Sequence, residues 1–112
     1  MRVIHSGEVP AQPVQEEGAK GATVRWLISR PEGAPNFAMR LFELQPGGST
    51  PLHSHAWEHE VFIIEGSAEI SSEKGPARVS ARDAVLVLPD EKHQFRNTGQ
   101  SVARLLCMVP LA

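Results

Sequence analysis

Three histidines, His53, His55 and His59, fall within seven residues of the segment Gly47-Gly-Ser-Thr-Pro-Leu-His-Ser-His-Ala-Trp-Glu-His-Glu-Val-Phe-Ile-Ile-Glu-Gly66. A fourth, His93, stands in Pro-Asp-Glu-Lys-His-Gln-Phe-Arg-Asn. Neutral imidazole is the commonest protein ligand for first-row metals, so these residue types point to a metal centre. A single histidine in a polar loop would be ordinary. Four of the chain's five, confined to two short segments, favour an ion.

Geometry decides how they could share it. On a strand, residues two apart project from the same face, which suits His53 and His55. Six residues of extended chain cover about 20 Å, far more than one coordination sphere with bonds of about 2 Å. His59 therefore requires a bend, expected at Ala56-Trp57, and His93 must arrive from a neighbouring strand. Glu60 is the alternative ligand. If His59 points inward, Val61 and Ile63 follow it to the core and Glu58 and Glu60 face away. If Glu60 points inward, so does Glu58, and an unpaired buried carboxylate is costly. His59 is favoured. Phe62 and Ile64 make the opposite face apolar as well, which fits packing on another sheet or a second subunit.

Four neutral imidazoles leave the charge of a divalent ion uncompensated, which favours an anionic or polarisable ligand. Zinc held by four histidines would be saturated and structural. A six-coordinate ion would keep two positions open for water, dioxygen, peroxide or a chelating small molecule. That case is preferred, and with it an oxidoreductase of the dioxygenase type that cleaves a carbon–carbon bond. The alternatives are a lyase or isomerase using the ion as Lewis acid, and a non-enzymatic module that binds a small molecule or the metal; whether the chain is an enzyme at all stays open.

Around these residues lie short runs of β-branched and apolar residues at intervals of about ten, separated by Gly, Pro, Asn and Asp. They predict strands at 23–30, 37–45, 61–64, 67–72, 77–80, 84–88, 94–97 and 102–109. The spacing points to an all-β sandwich or barrel with little helix, since no long window shows a 3.6-residue period. Residues 1–22, rich in Gly, Pro, Gln and Glu, read as an irregular N-terminal arm with a short edge strand at 2–5, leaving 23–112 as one barrel domain. His5 lies in that arm and is expected to be an ordinary exposed residue.

The totals narrow the partners. Eleven basic residues stand against thirteen acidic ones without a basic block, so neither nucleic acid nor a membrane surface is expected as partner. The apolar runs are too short to span a bilayer, and the polar N-terminus does not resemble a secretory leader. The single cysteine, Cys107, has no partner for an internal disulfide, and a cytoplasmic setting is expected. The absence of tyrosine removes a phenol acid or base, and only His5 is left for a nucleophile–histidine pair. Arg40, in an apolar strand, is a candidate contact for an anionic substrate, equally able to run to the surface. Trp57 is expected to pack against His55 and His59, Phe95 and Leu106 to lie in the core, Cys107 to be an inert buried thiol, and Arg96 and Asn97 to be turn and surface residues.

These residues resemble a cupin. The first motif is similar to Gly47-x5-His53-x-His55-x4-Glu60-x5-Gly66 and the second to Pro89-x3-His93-x3-Asn97. Asp83 stands where a glycine usually opens the second motif, and the Glu-to-Gly and Pro-to-His gaps are each one residue shorter than the common form. The usual cupin site has three His and one Glu. The additional His59 and the stretch Pro35-Asn-Phe-Ala-Met-Arg-Leu-Phe42 instead resemble a subgroup of small bacterial cupins with a four-histidine manganese site. The resemblance implies a double-stranded β-helix, or jelly-roll barrel, with manganese as the first-choice metal and iron, nickel, cobalt, copper or zinc as alternatives. It also implies a small-molecule substrate in the barrel and a homodimer. The reaction does not follow from the fold.

Overall fold

Alternation along the strands decides which side chains reach the interior. In β4 (His59–Glu65), His59, Val61 and Ile63 are buried while Glu60, Phe62 and Ile64 are exposed. In β9 (Ala103–Pro110), Ala103, Leu105, Cys107 and Val109 are buried, so Leu106 looks outward and it is Leu105, fully buried, that occupies the core. The computed structural model describes residues 1–111. The other strands are β1 (Gln12–Pro13), β2 (Lys20–Ile28), β3 (Phe37–Ser49), β5 (Ser67–Ser72), β6 (Ala77–Ser80), β7 (Ala84–Val87) and β8 (His93–Arg96). Helix is confined to single 3-10 turns at Ser6–Glu8 and Arg30–Glu32 among the described residues.

All pairings are antiparallel, and the strand path β6-β5-β8-β3-β9-β4-β7 curls into a half-barrel, with β2 on the free side of β3 and β1 on β2. The core is a continuous cluster that includes Val24, Phe42, Leu44, Val61, Ile63, Ile70, Phe95 and Leu105. On the outer face, Glu43 accepts from Arg25 Nε at 3.0 Å and from Arg104 Nε at 2.9 Å, tying β2, β3 and β9 together. Burial alone would raise the Glu43 pKa, but the two guanidinium groups outweigh it and hold the carboxyl below its ordinary value.

Strand β3 is longer than its sequence predicts. The Pro46-Gly47-Gly48 turn was expected to end it at Gln45, yet the strand resumes and Ser49 pairs with both Lys20 and Arg96. A register shift between Lys20 and Ala22 absorbs the extra residues. Gly48 makes this possible: a Cβ there would meet the carbonyl oxygens of Gln45 and Gly21 at 2.8 Å and of Lys20 at 2.9 Å. The strand thereby runs on from its β9 partner to meet β8 and hands the chain to the histidine segment.

The first 22 residues are not simply irregular. The expected strand at 2–5 is absent; β1 instead pairs with β2, whose own first residue is Lys20 rather than Thr23. Arg25 Nη1 donates to Val9 O at 2.7 Å, and Val14 packs against the core. Gly18 O accepts from Ser49 Oγ at 2.8 Å and from Gln94 Nε2 at 3.0 Å. His5 is exposed and accepts from Gly7 N, capping the first 3-10 turn. Asn97, expected at the surface, is buried because its side-chain amide donates to Leu44 O and Ser101 O, at 2.9 and 2.8 Å. Arg96 is exposed.

Candidate metal centre

The two motifs meet through backbone before any side chain is considered. Thr50 N donates to Phe95 O at 2.9 Å, and Thr50 Oγ1 accepts from Phe95 N at 2.9 Å. His53 and His93 then exchange both backbone hydrogen bonds, at 3.2 and 3.0 Å, in an isolated bridge. Asp90 N donates to His55 O at 2.6 Å. His53 and His55 therefore lie in a laced loop rather than on a regular strand. The chain bends at residues 56–57, and β4 starts with His59.

This brings all four rings together. Centroid separations run from 4.0 Å for His55–His59 to 6.5 Å for His53–His59, with His93 at 5.1, 5.2 and 5.4 Å from His53, His55 and His59. One ring nitrogen from each of His53, His55 and His93 lies within 4.8 Å of the others. His59 stands beside this trio and is buried like His93, with 7% of its surface exposed against 3%. Glu60 points the other way: it is exposed on β4 and lines a separate surface hollow with Phe37, Glu58 and Met108.

Each ring is held from behind through Nδ1. His55 Nδ1 lies 2.9 Å from Trp57 O and His93 Nδ1 lies 2.8 Å from Glu91 O. A carbonyl can only accept, so in both rings Nδ1 carries the proton and Nε2 keeps its lone pair. His53 Nδ1 sits 3.4 Å from Glu16 Oε2, and His59 Nδ1 is 3.7 Å from Cys107 Sγ. His55 Nε2 is buried without a hydrogen-bond partner. Nδ1 anchoring of this kind, with an orphaned Nε2, is the arrangement that metal-bound histidines show. Trp57 stacks on His55 at 4.8 Å and 6° between planes, fixing that ring from the side.

The surroundings of His53, His59 and His93 favour the neutral ring, the state that binds metal. Burial, followed by neighbouring His55 and Arg40, pushes the His59 pKa down to about 3. Burial and His55 lower that of His53 against the opposing pull of Glu16. Burial also lowers that of His93, against its bond to the Glu91 carbonyl. The Cys107 thiol is pushed up by burial, partly offset by Arg40, and stays protonated at neutral pH.

Two adjoining cavities open beside the rings. An inner chamber of about 210 Å³ is walled by Val24, Phe42, Val61, Phe95 and Leu105 and reaches His53, His59 and His93. Phe95 is thus both core and wall. An outer chamber of about 680 Å³ is bounded by Trp57, Ser54, His55 and Leu111. Glu16, Trp26, Arg40, His53 and His59 border both. Arg40 therefore turns inward, with its guanidinium carbon 5.2 Å from the Trp26 ring and 5.0 Å from the Phe42 ring. The sequence pattern missed Glu16 and Trp26. Glu16 carries no local signal in an aperiodic arm, but the inward parity of Ala22 and Val24 extends to Trp26 on β2.

Comparison with known proteins agrees with this fold. The polyketide cyclase RemF from Streptomyces resistomycificus superposes with a TM-score of 0.92 at 38% identity, over 98% of this chain and 79% of that one. The polyketide synthase CurC from Streptomyces cyaneus is 27% identical over 93% of this chain and 70% of its own length. An oxalate-binding protein from Thermotoga maritima is 28% identical over 97% of this chain and 93% of its own. The chain spans between 46% and 93% of the length of the curated relatives it matches. Among the described residues no helix is long and apolar enough to cross a membrane. Residues 40–109, which carry both histidine segments and every strand from β4 to β8, match the family model described as Cupin domain, and the chain belongs to that family.

Proposed function

We propose that this chain is a metal-dependent cupin in which His53, His55, His59 and His93 hold one divalent transition metal and the adjoining cavity holds a small polycarbonyl substrate for a cyclase-type reaction. The observation that carries this reading is the set of four rings anchored through Nδ1 beside a cavity large enough for a guest. Manganese is the first choice, because four neutral imidazoles and adjoining space suit a six-coordinate ion; iron, cobalt, nickel, copper and zinc are the alternatives. When bound, the ion supplies Lewis acidity that polarises carbonyl oxygen. The chain's own residues orient the guest: Trp57 and Trp26 offer flat faces at the cavity wall, and Val61, Phe95 and Leu105 exclude water from its inner end. The polyketide cyclase RemF and the polyketide synthase CurC support the choice of reaction.

Elemental analysis of protein purified without added metal, paired with an anomalous-difference map, tests the centre. Stoichiometric transition metal at the four rings is expected; a metal-free protein that also refuses added metal refutes it. Incubation of the loaded protein with a synthetic poly-β-carbonyl thioester then tests the reaction, with ring-closed product expected. Oxidative carbon–carbon cleavage is the second reading, favoured by the small apolar inner chamber beside the histidines, which suits dioxygen or peroxide next to a one-ring guest. Oxygen uptake coupled to turnover would select it, and turnover under strict anaerobiosis would remove it. Anaerobic bond breaking or isomerisation would select a lyase or isomerase, and tight binding without turnover a binding module. We further propose a homodimer through the outward face bearing Phe62, Ile64, Leu86 and Leu88, between 40% and 54% exposed. Light scattering should give twice the chain mass for the parent and a monomer for Phe62→Glu.

A further inference from the structure

We infer that Arg40 forms an anion subsite at the junction of the two chambers, so that the preferred guest carries a carboxylate or enolate oxygen on a flat apolar body of about one ring. This rests on the reading of the cavity as a substrate site and adds the charge and size of what enters it. Arg40 has the composition of a receptor rather than of a structural cation. Its Nη2 donates to the Cys107 sulfur at 3.1 Å, a weak neutral acceptor, and its Nε is buried with no partner at all. No carboxylate pairs with it among the described ion pairs, whereas Arg25 and Arg78 each have one and Arg104 has two. Leaving charged donors unmet in an apolar wall is costly, and only part of that cost is offset by the Trp26 and Phe42 faces.

The two rings, 5.2 and 5.0 Å from the guanidinium carbon, also limit the room in which it can move, and a planar fork so confined suits a two-oxygen anion. Charge balance leads to the same conclusion. Among the described residues Glu16 is the only one with a carboxylate side chain bordering either chamber, and it lies against His53. Glu16 and Arg40 cancel, so a divalent ion among neutral imidazoles would leave the cavity two charges positive. An anionic guest would be drawn in by that surplus. The inner chamber of about 210 Å³ is smaller than the usual drug-sized pocket, which limits the part seated there to a single ring.

The test uses benzoate and its neutral isostere benzamide, titrated into full-length Trp57→Phe protein so that Trp26 is the only remaining fluorophore of its kind. Chelator-dialysed protein removes any preference due to metal. Benzoate is expected to change Trp26 emission and to bind at least about tenfold more tightly than benzamide, the size of one charged hydrogen bond. Arg40→Met, checked for an unchanged circular dichroism spectrum, is expected to bring the two affinities together, and Arg40→Lys to restore part of the preference. Equal affinities in the parent, no benzoate binding, or a preference that survives Arg40→Met would each overturn the subsite. Zinc uptake measured on the same proteins keeps the two readings apart. A protein that takes up zinc without preferring benzoate loses only the subsite, and one that prefers benzoate without taking up metal loses only the metal centre.

Discussion

Acidifying the metal-free protein should unfold it, and His59 should account for a measurable share of the effect. Its pKa is pushed to about 3 in the folded chain, against about 6.5 when unfolded. Below pH 6.5 the unfolded chain therefore takes up a proton that the folded chain refuses, so stability is complete above that pH and falls as pH drops toward the folded value. The slope is about 1.4 kcal/mol per pH unit, so the loss between pH 6.5 and 4.5 from this one residue is about 2–3 kcal/mol. His53 and His93 are shifted in the same direction and add to it. The assay is urea denaturation of chelator-treated parent and His59→Asn protein at both pH values. Carboxylates and other histidines titrate in both proteins and largely cancel in the comparison. The variant should lose about 2–3 kcal/mol less than the parent on acidification. Identical losses would refute the claim that burial keeps this ring neutral.

Other perturbations reach different parts of the molecule. Replacing Glu16 by Ala frees His53 Nδ1 and should weaken metal affinity about tenfold in a chelator competition assay, with the fold unchanged. Ile63→Ala, at a fully buried position away from the cavity, should cost about 2–5 kcal/mol in denaturant unfolding without altering metal stoichiometry. Gly48→Ala drives a methyl group into three backbone oxygens at 2.8–2.9 Å and should cost more than about 2 kcal/mol. That variant should also lower metal affinity, because the end of β3 delivers the histidine loop; an unaffected midpoint and affinity would contradict this account of the corner.

How much of this could be read from the sequence depended on whether the signal was local. The cost of burying Glu58 and Glu60 told the inward face of β4 from the outward one, where alternation alone did not decide because Phe62 and Ile64 are apolar as well. The bend at 56–57 followed from distance alone. Leu106 was misread because Leu105 and Leu106 are equally apolar and only the register with β3 and β4 decides between them. Asn97 was placed at the surface because nothing in Arg-Asn-Thr-Gly announces that Leu44 O, fifty-three residues away, needs a donor. The arm was the largest omission. Its two-residue strand is too short to leave a period, and Glu16 meets His53 only through tertiary packing.

That arm has a bearing on how new specificities could arise. Pro13, Val14, Gln15 and Glu16 supply a side of the inner chamber, yet the segment is fastened to the sheet at few points, chiefly the short β1 pairing and the Gly18 carbonyl. The barrel's own strands meet one another without it. A lineage could therefore rewrite Pro13 and Gln15 and change what the protein accepts while leaving Glu16 against His53 and Val14 against the core. Part of the selectivity thus lies in a stretch that the barrel strands do not need in order to pair.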